Sequence, residues 1–387
     1  MKNRREFLQF GAAVASAAVL LPRRTDAQSD APAATAAPSE TGLLDLHNHW
    51  ISPGAYEILS TRTAGIRYVQ DENGTRRLIH PGQPAAAQPR FRGPHGTQMF
   101  DGPEVRLRHL DAHGVRRQLI SWPTTSNVDP ALTAEEARLL WGTYNDELAA
   151  VIAKYPERFS GVAALSTLDI EWSAQELARA HDKLGLIGGV LPANGFDTRE
   201  GAEAFAPLFA VAQRHKSHIY LHTGYANARI PGQPPLPAHR DSLPARAALD
   251  NIWNFTAATI TLAFSGFLDR YPDVTVQVAQ LGGAGGIALV AEAVQQAADR
   301  YGPVDLKARF ERIYLDTGAA GRGPEAIALA TRVFGAERVL FGTDYGAAAS
   351  VVPVIANLNR SPITPEDRRK IFRDNARDLL AAKGVAV

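Results

Sequence analysis

The stretch LLDLHNHW, residues 43–50, closes an apolar run with two histidines one residue apart. Successive side chains of a strand turn to opposite faces, so Asp45, His47 and His49 share one face and Leu44, Leu46 and Asn48 the other. Two imidazoles side by side at a strand end suit a divalent metal ion. Histidine pairs are also common on surfaces, so the meaning of this one depends on what else the chain brings to the same place.

Counting LLDLH (43–47), eight short β-rich runs can be read. The others are RRQLISW (116–122), FSGVAAL (159–165), LIGGVLP (186–192), HIYLH (218–222), VTVQVAQ (274–280), RIYLD (312–316) and RVLFGTD (338–344). Helical patterns lie between them, among them SAQELARAHDKLG, REGAEAFAPLFAVAQRHK and NIWNFTAATITLAFSGFLDRY, with apolar residues recurring at three and four. Ser173 and Thr198 can cap helix starts, and Gly185 and Gly335 stand where helices should stop. Eight strands alternating with helices predict parallel pairing and a closed (β/α)8 barrel of the TIM type. An open doubly wound sheet is the alternative, but no glycine-rich phosphate loop follows the first strand. GGAGG at 282–286 lacks the G-x-G-x-x-G spacing and the acidic residue a dinucleotide site needs.

At 387 residues and 45% apolar composition the chain can bury a full core. Forty-one basic against 40 acidic residues leave a charge of +1, which gives no electrostatic argument for nucleic acid. The start is different in kind. Arg4 and Arg5 precede Phe7 and Leu8, and GAAVASAAVLL follows, too short for a membrane span. This resembles a twin-arginine signal over residues 1–27, followed by an Ala/Pro/Ser/Thr linker over 28–41, with the barrel at 42–387. A chain without cysteine suits the oxidising periplasm that such a signal implies. The expected partner is the twin-arginine export machinery, and no other run approaches membrane length.

Two connections are long: 51–104 after the first strand, an insertion rich in Gly, Pro and Arg, and 223–250 after the fifth. Both follow strand ends, where barrel active sites are built, and are expected to roof the pocket. Strand one ends in His47 and His49, strand five in His222 and strand eight in Asp344. Three imidazoles and a carboxylate converging on the barrel axis make a ligand set for zinc, with manganese as the alternative. Taken singly, His222 reads as a buried histidine satisfied by a carbonyl and Asp344 as a turn cap. Their shared position at strand ends favours the metal.

From about residue 42 to 382 the chain resembles the amidohydrolase-related proteins of the aminocarboxymuconate-semialdehyde decarboxylase type. The matching stretches are DLHNHW, YNDELAAVIAKYPERFSGVAAL, LGLIGGVLP, IYLHTG, RYPDVTVQVAQLGG, IYLDTG and VLFGTDY. The resemblance implies a barrel of the metal-dependent hydrolase type, with metal ligands at His47, His49, His222 and Asp344. It also implies a homodimer. Such proteins carry a histidine at the end of strand six, where this chain has Gln280 in AQLGG. A glutamine amide can polarise a carbonyl but cannot relay a proton near neutrality. Asp344 and Gln280 are therefore the candidate catalytic residues, with Asp344 the proton carrier. Arg67, Arg92 and Arg229 can meet a carboxylate. Trp122 and Tyr225 can stack on a planar substrate, Trp253 and Asn254 can line the rim, and Asp316 can orient a ligand.

The activity this implies is non-oxidative decarboxylation of an aromatic or unsaturated carboxylic acid. Hydrolysis of a lactone, ester or amide is the alternative that the same centre serves. A metal-containing binding protein that has lost catalysis is the third reading, and Gln280 is what favours it.

Overall fold

Residues 41–72, 74–80, 90–91, 98–233, 244–318 and 323–387 are described in the computed structural model of this chain. The expected export signal, all but the last residue of the linker, Arg92 and parts of both long connections lie outside them. In chain order the strands are β1 (Leu43–His49), β2 (Arg67–Gln70), β3 (Arg76–Ile79), β4 (Arg90–Phe91), β5 (Val115–Ser121), β6 (Phe159–Gly161), β7 (Ala163–Ala164), β8 (Gly188–Pro192), β9 (His218–His222), β10 (Thr275–Val278), β11 (Ile313–Asp316) and β12 (Val339–Leu340).

Strands β1, β8 and β9 are buried at every residue, as a sheet covered on both faces requires. The parallel order is β1-β5-β6 and then β7-β8-β9-β10-β11-β12. β6 and β7 form one interrupted strand: Val162 donates its amide to the Ile120 carbonyl, and the Gly161 carbonyl accepts from Ile187. At the other seam Leu46 donates to Phe341 O (2.9 Å) and His49 to Tyr345 O (2.8 Å), while the amides of Thr343 and Asp344 both reach His47 O. Backbone bonds thus cross both gaps and the barrel closes with eight staves. β2, β3 and β4 form a separate antiparallel sheet inside the first long connection.

Several expected boundaries move, each for a local reason. The helix Ile170–Leu184 starts at Asp169, whose carboxylate accepts from Trp172 N (3.0 Å). Ser173 lies inside that helix and donates instead to the Ser166 carbonyl. Thr198 does cap its helix, and Gly185 ends one at φ 65°. The pattern at 199–216 breaks into Arg199–Ala204 and Ala206–Arg214, because Pro207 has no amide to continue the ladder. The helix expected from Asn251 begins at Pro244, which places Trp253 and Asn254 in its interior.

Strand six stops at Val278 because a left-handed turn follows. Gln280, Leu281, Gly282, Gly283, Ala284 and Gly285 all have φ between 52° and 93°. The glycines of GGAGG serve this turn and its packing, not a phosphate. A Cβ at Gly283 would meet the Ile252 carbonyl at 2.5 Å. Each non-glycine residue held left-handed costs about 1–2 kcal/mol. Ala284 is only half-buried, so Ala284→Gly is expected to raise stability by about 1 kcal/mol, read as a higher denaturant midpoint at constant slope. A lower midpoint would show that the turn carries no strain there.

Candidate metal centre

The three histidines at the strand ends are each fixed in one tautomer by the partner of Nδ1. His47 Nδ1 lies 2.8 Å from Asp316 Oδ1, an acceptor, so the ring nitrogen donates. The same Asp316, at the end of β11, also takes the amides of Gly318 (2.8 Å) and Gln280 (3.2 Å) and the side chain of Gln277 (2.7 Å). His49 Nδ1 faces Ser121 Oγ at 3.2 Å, and that hydroxyl gives its own hydrogen to Asn48 O. His222 Nδ1 faces Thr124 Oγ1 at 3.0 Å, and that hydroxyl donates to Thr223 O. With every Nδ1 a donor, every Nε2 presents a lone pair.

Those lone pairs converge. His49 Nε2 and His222 Nε2 are 3.1 Å apart. Asp344 Oδ1 is 3.1 Å from His49 Nε2 and 3.4 Å from His47 Nε2, and the latter nitrogen is buried without a hydrogen-bond partner. The four ligand atoms lie within 4.8 Å of one another. Bare lone pairs packed this closely repel unless a cation sits among them, so these residues fit a divalent ion. Asp344 adopts φ 59°, a left-handed geometry uncommon outside glycine.

The electrostatics agree. Burial alone would lower His47, but the carboxylates of Asp316 and Asp344 outweigh it and raise the ring to about 10. Burial lowers His49, against the pull of Asp344. Burial, with His49 and His47 alongside, drives His222 well below its ordinary value. Burial opposes the ionised form of Asp344, yet the two neighbouring imidazoles hold it far below the usual carboxylate range. Without a metal, one proton on His47 stands in for the cation.

The other expected residues divide. Asp316 orients His47, as anticipated. Gln280 sits beside the centre: its Nε2 is 3.5 Å from Thr223 Oγ1, next to His222. Trp122 is buried against Trp141 and Tyr144 (rings 4.9 and 5.2 Å apart), which accounts for it as packing. With Thr124 and the half-buried Tyr225 it lines a cavity of about 20 Å³, room for roughly one water. Burial pushes the Tyr225 phenol up to about 12.

Arg67 donates to the Gly65 carbonyl within the antiparallel insertion, and Arg229 is exposed. Trp253 is 63% exposed and Asn254 half-buried. Among the described residues none of these four hydrogen-bonds to the metal ligands. Sequence reading missed Ser121, Thr124, Gln277 and Gly318. The first two flank the end of strand two, and the strand-end rule that selected the histidines selects Ser121 as well.

A closed parallel barrel with H-x-H on its first strand, a histidine on its fifth and an aspartate after its eighth defines a mononuclear metal-dependent barrel protein. The chain belongs to the amidohydrolase family, whose sequence profile matches residues 45–381. It is 27% identical to the gamma-resorcylate decarboxylase of Polaromonas sp. (strain JS666) over 73% of this chain and 88% of that one. It is 24% identical to the 2-amino-3-carboxymuconate-6-semialdehyde decarboxylase of Dictyostelium discoideum, over 63% and 66%. A dihydroxybenzoic acid decarboxylase from Polaromonas sp. JS666, with bound manganese and 2-nitroresorcinol, shares the fold with a TM-score of 0.64 at 21% identity. That match covers 88% of this chain and 97% of the other.

Proposed function

We propose that the protein is a metal-dependent non-oxidative decarboxylase of an aromatic or unsaturated carboxylic acid. The reading rests on the four-ligand centre in a chain whose relatives, at 24–27% identity, are carboxy-lyases for such acids. His47, His49, His222 and Asp344 would hold the ion. When bound, it supplies positive charge that anchors anionic oxygens of the substrate and lowers the cost of building charge on them.

Asp344 is the only one of the four whose side chain reaches open space, at 16% exposed. It is therefore the group that can take a proton from water in that space and pass it to the ring carbon. As the carbon–carboxyl bond breaks, its electron pair stays on that carbon and takes the proton, while carbon dioxide leaves. Gln280 can donate a hydrogen bond to a substrate oxygen without changing protonation state.

Incubation with 2,6-dihydroxybenzoate and related hydroxybenzoates should release carbon dioxide at one equivalent per acid consumed. Release should stop on chelation and in the His47→Ala, His49→Ala double variant. Acid formed from a lactone or ester, with no carbon dioxide, would establish the hydrolase reading instead. Gln280 is what favours a binding protein without catalysis, and Gln280→His separates the cases. An adapted enzyme is expected to lose at least about tenfold in kcat with its metal retained. A large gain would mark a decayed site.

Three further points belong to the same reading. Zinc suits the three-imidazole, one-carboxylate set, with manganese as competitor, and elemental analysis of the purified protein decides. Residues 1–27 direct export through the twin-arginine machinery to the periplasm, and exchanging Arg4 and Arg5 for lysine should leave the protein in the cytoplasm. Leu249 (60% exposed), Trp253 and Leu289 (60%) offer apolar surface for a homodimer, testable by light scattering. Among the described residues no helix is long and apolar enough to cross a membrane.

A further inference from the structure

Arg106, on the helix Pro103–Ala112, is 1% exposed and makes no ion pair among the described residues. A buried guanidinium is costly unless its donors are satisfied, and here Nη1 and Nη2 are satisfied by β1, which carries two metal ligands, and by the adjoining β5. Nη2 donates to the His49 carbonyl at 2.6 Å. Nη1 donates to Gln118 Oε1 (3.0 Å) and Asn48 Oδ1 (3.3 Å). The planar group also lies over the Tyr345 ring, 5.0 Å from its centroid. Tyr345 follows the ligand Asp344, and its carbonyl accepts from His49 N.

The network extends through Gln118, whose Nε2 donates to Asp45 Oδ2 at 2.6 Å. Asp45 in turn accepts from the Thr343 amide (3.0 Å) and hydroxyl (2.7 Å). This brace sits at an irregularity. β1 pairs with β5 at Asp45↔Gln118 and next at Asn48↔Ile120, so β1 carries one extra residue there. His47 lies inside this bulge, and His49 follows Asn48, where regular pairing resumes. A bulge re-aims side chains, and one this close to two ligands needs something to hold its shape.

We infer that Arg106 is a positioning residue for the metal centre, setting His49 and Asp344 through the His49 carbonyl and the Tyr345 ring. A lysine keeps the charge but has no planar fork to bridge three acceptors and cover a ring. The inference rests on the metal-centre reading, and its test separates the two.

The experiment measures the zinc and manganese dissociation constants by competition with a chelator, together with the melting midpoint of the metal-free protein. The variants are Arg106→Lys and a control, Arg117→Lys. Arg117 is an equally buried arginine that donates to Phe159 O, Ser160 Oγ and Ala386 O, away from the ligands. Both variants are expected to melt lower. Only Arg106→Lys is expected to weaken metal binding, by about 10- to 100-fold, the range for residues that orient ligands.

Equal affinity in Arg106→Lys and the parent, or equal losses in both variants, would overturn the inference while leaving the metal centre in place. No binding by the parent would overturn the metal centre itself. Should Arg106→Lys fail to fold, Gln118→Met removes one acceptor of the same guanidinium. Weakened binding there supports the brace, and parental affinity refutes it.

Discussion

A single methyl group added at Gly318 is expected to empty the metal centre. A Cβ at that position would stand 1.8 Å from His47 Nδ1, well inside contact distance. The nitrogen it strikes is the one that donates to Asp316, and the Gly318 amide donates to the same Asp316 oxygen. The ring has little room to retreat, since a Cβ at Gly342, on the neighbouring strand segment, would meet His47 Cβ at 2.5 Å. Gly318→Ala should therefore turn His47 away from its partners and cost about 100-fold or more in metal affinity. Gly142→Ala is the matched control: it is helical, has nothing within 4 Å of the added carbon, and should leave metal affinity unchanged. Parental metal affinity in Gly318→Ala would refute the close contact.

Metal loading is expected to release about one proton near neutral pH and to strengthen steeply with alkalinity. In the metal-free protein His47 is raised from 6.5 to about 10, so at pH 7 to 9 it carries a proton that the ion must displace. Apparent affinity should rise about tenfold per pH unit across that window and level off near pH 10. The stability of the metal-free fold runs the other way. A raised histidine contributes fully below its unfolded value near 6.5, and that contribution is lost as pH climbs toward 10. The depressed Asp344 contributes above 3.8 and loses its contribution as pH falls below it. The metal-free protein is thus favoured in mild acid and the loaded one in mild alkali. Calorimetry in buffers of differing ionisation enthalpy counts the proton, and a count of zero at pH 8 would contradict the protonated His47.

Much of this centre was legible because barrel geometry makes a short list. Once eight alternating runs imply a barrel, only residues at strand ends can meet, and His47, His49, His222 and Asp344 stand there. Asp316 was readable for the same reason. What stayed hidden depends on approach rather than position. Gln280 ends a β-rich run in the sequence, yet in the fold it opens a left-handed turn, with the helix Pro244–Phe264 packed against Gly283. Trp122 looks like a stacking platform in sequence, and only its neighbours Trp141 and Tyr144 show it to be core. Membership of a long loop, the only signal that Arg67, Arg92 and Arg229 carry, says nothing of where a long side chain goes. Arg106 carries no such signal, because its partners, the His49 carbonyl and the side-chain amides of Asn48 and Gln118, come together only in the fold.

The seam where β1 meets the segment after β12 also orders events in time. The bond from Thr343 to Asp45 spans 298 residues, so the strand bearing both imidazoles waits for its second neighbour until that whole stretch has been made. Of the four ligands His222 is made third and Asp344 last. A nascent chain holds three ligands but no carboxylate to complete them. The full set of four ligands exists only once that last carboxylate has been made and the seam has closed on it.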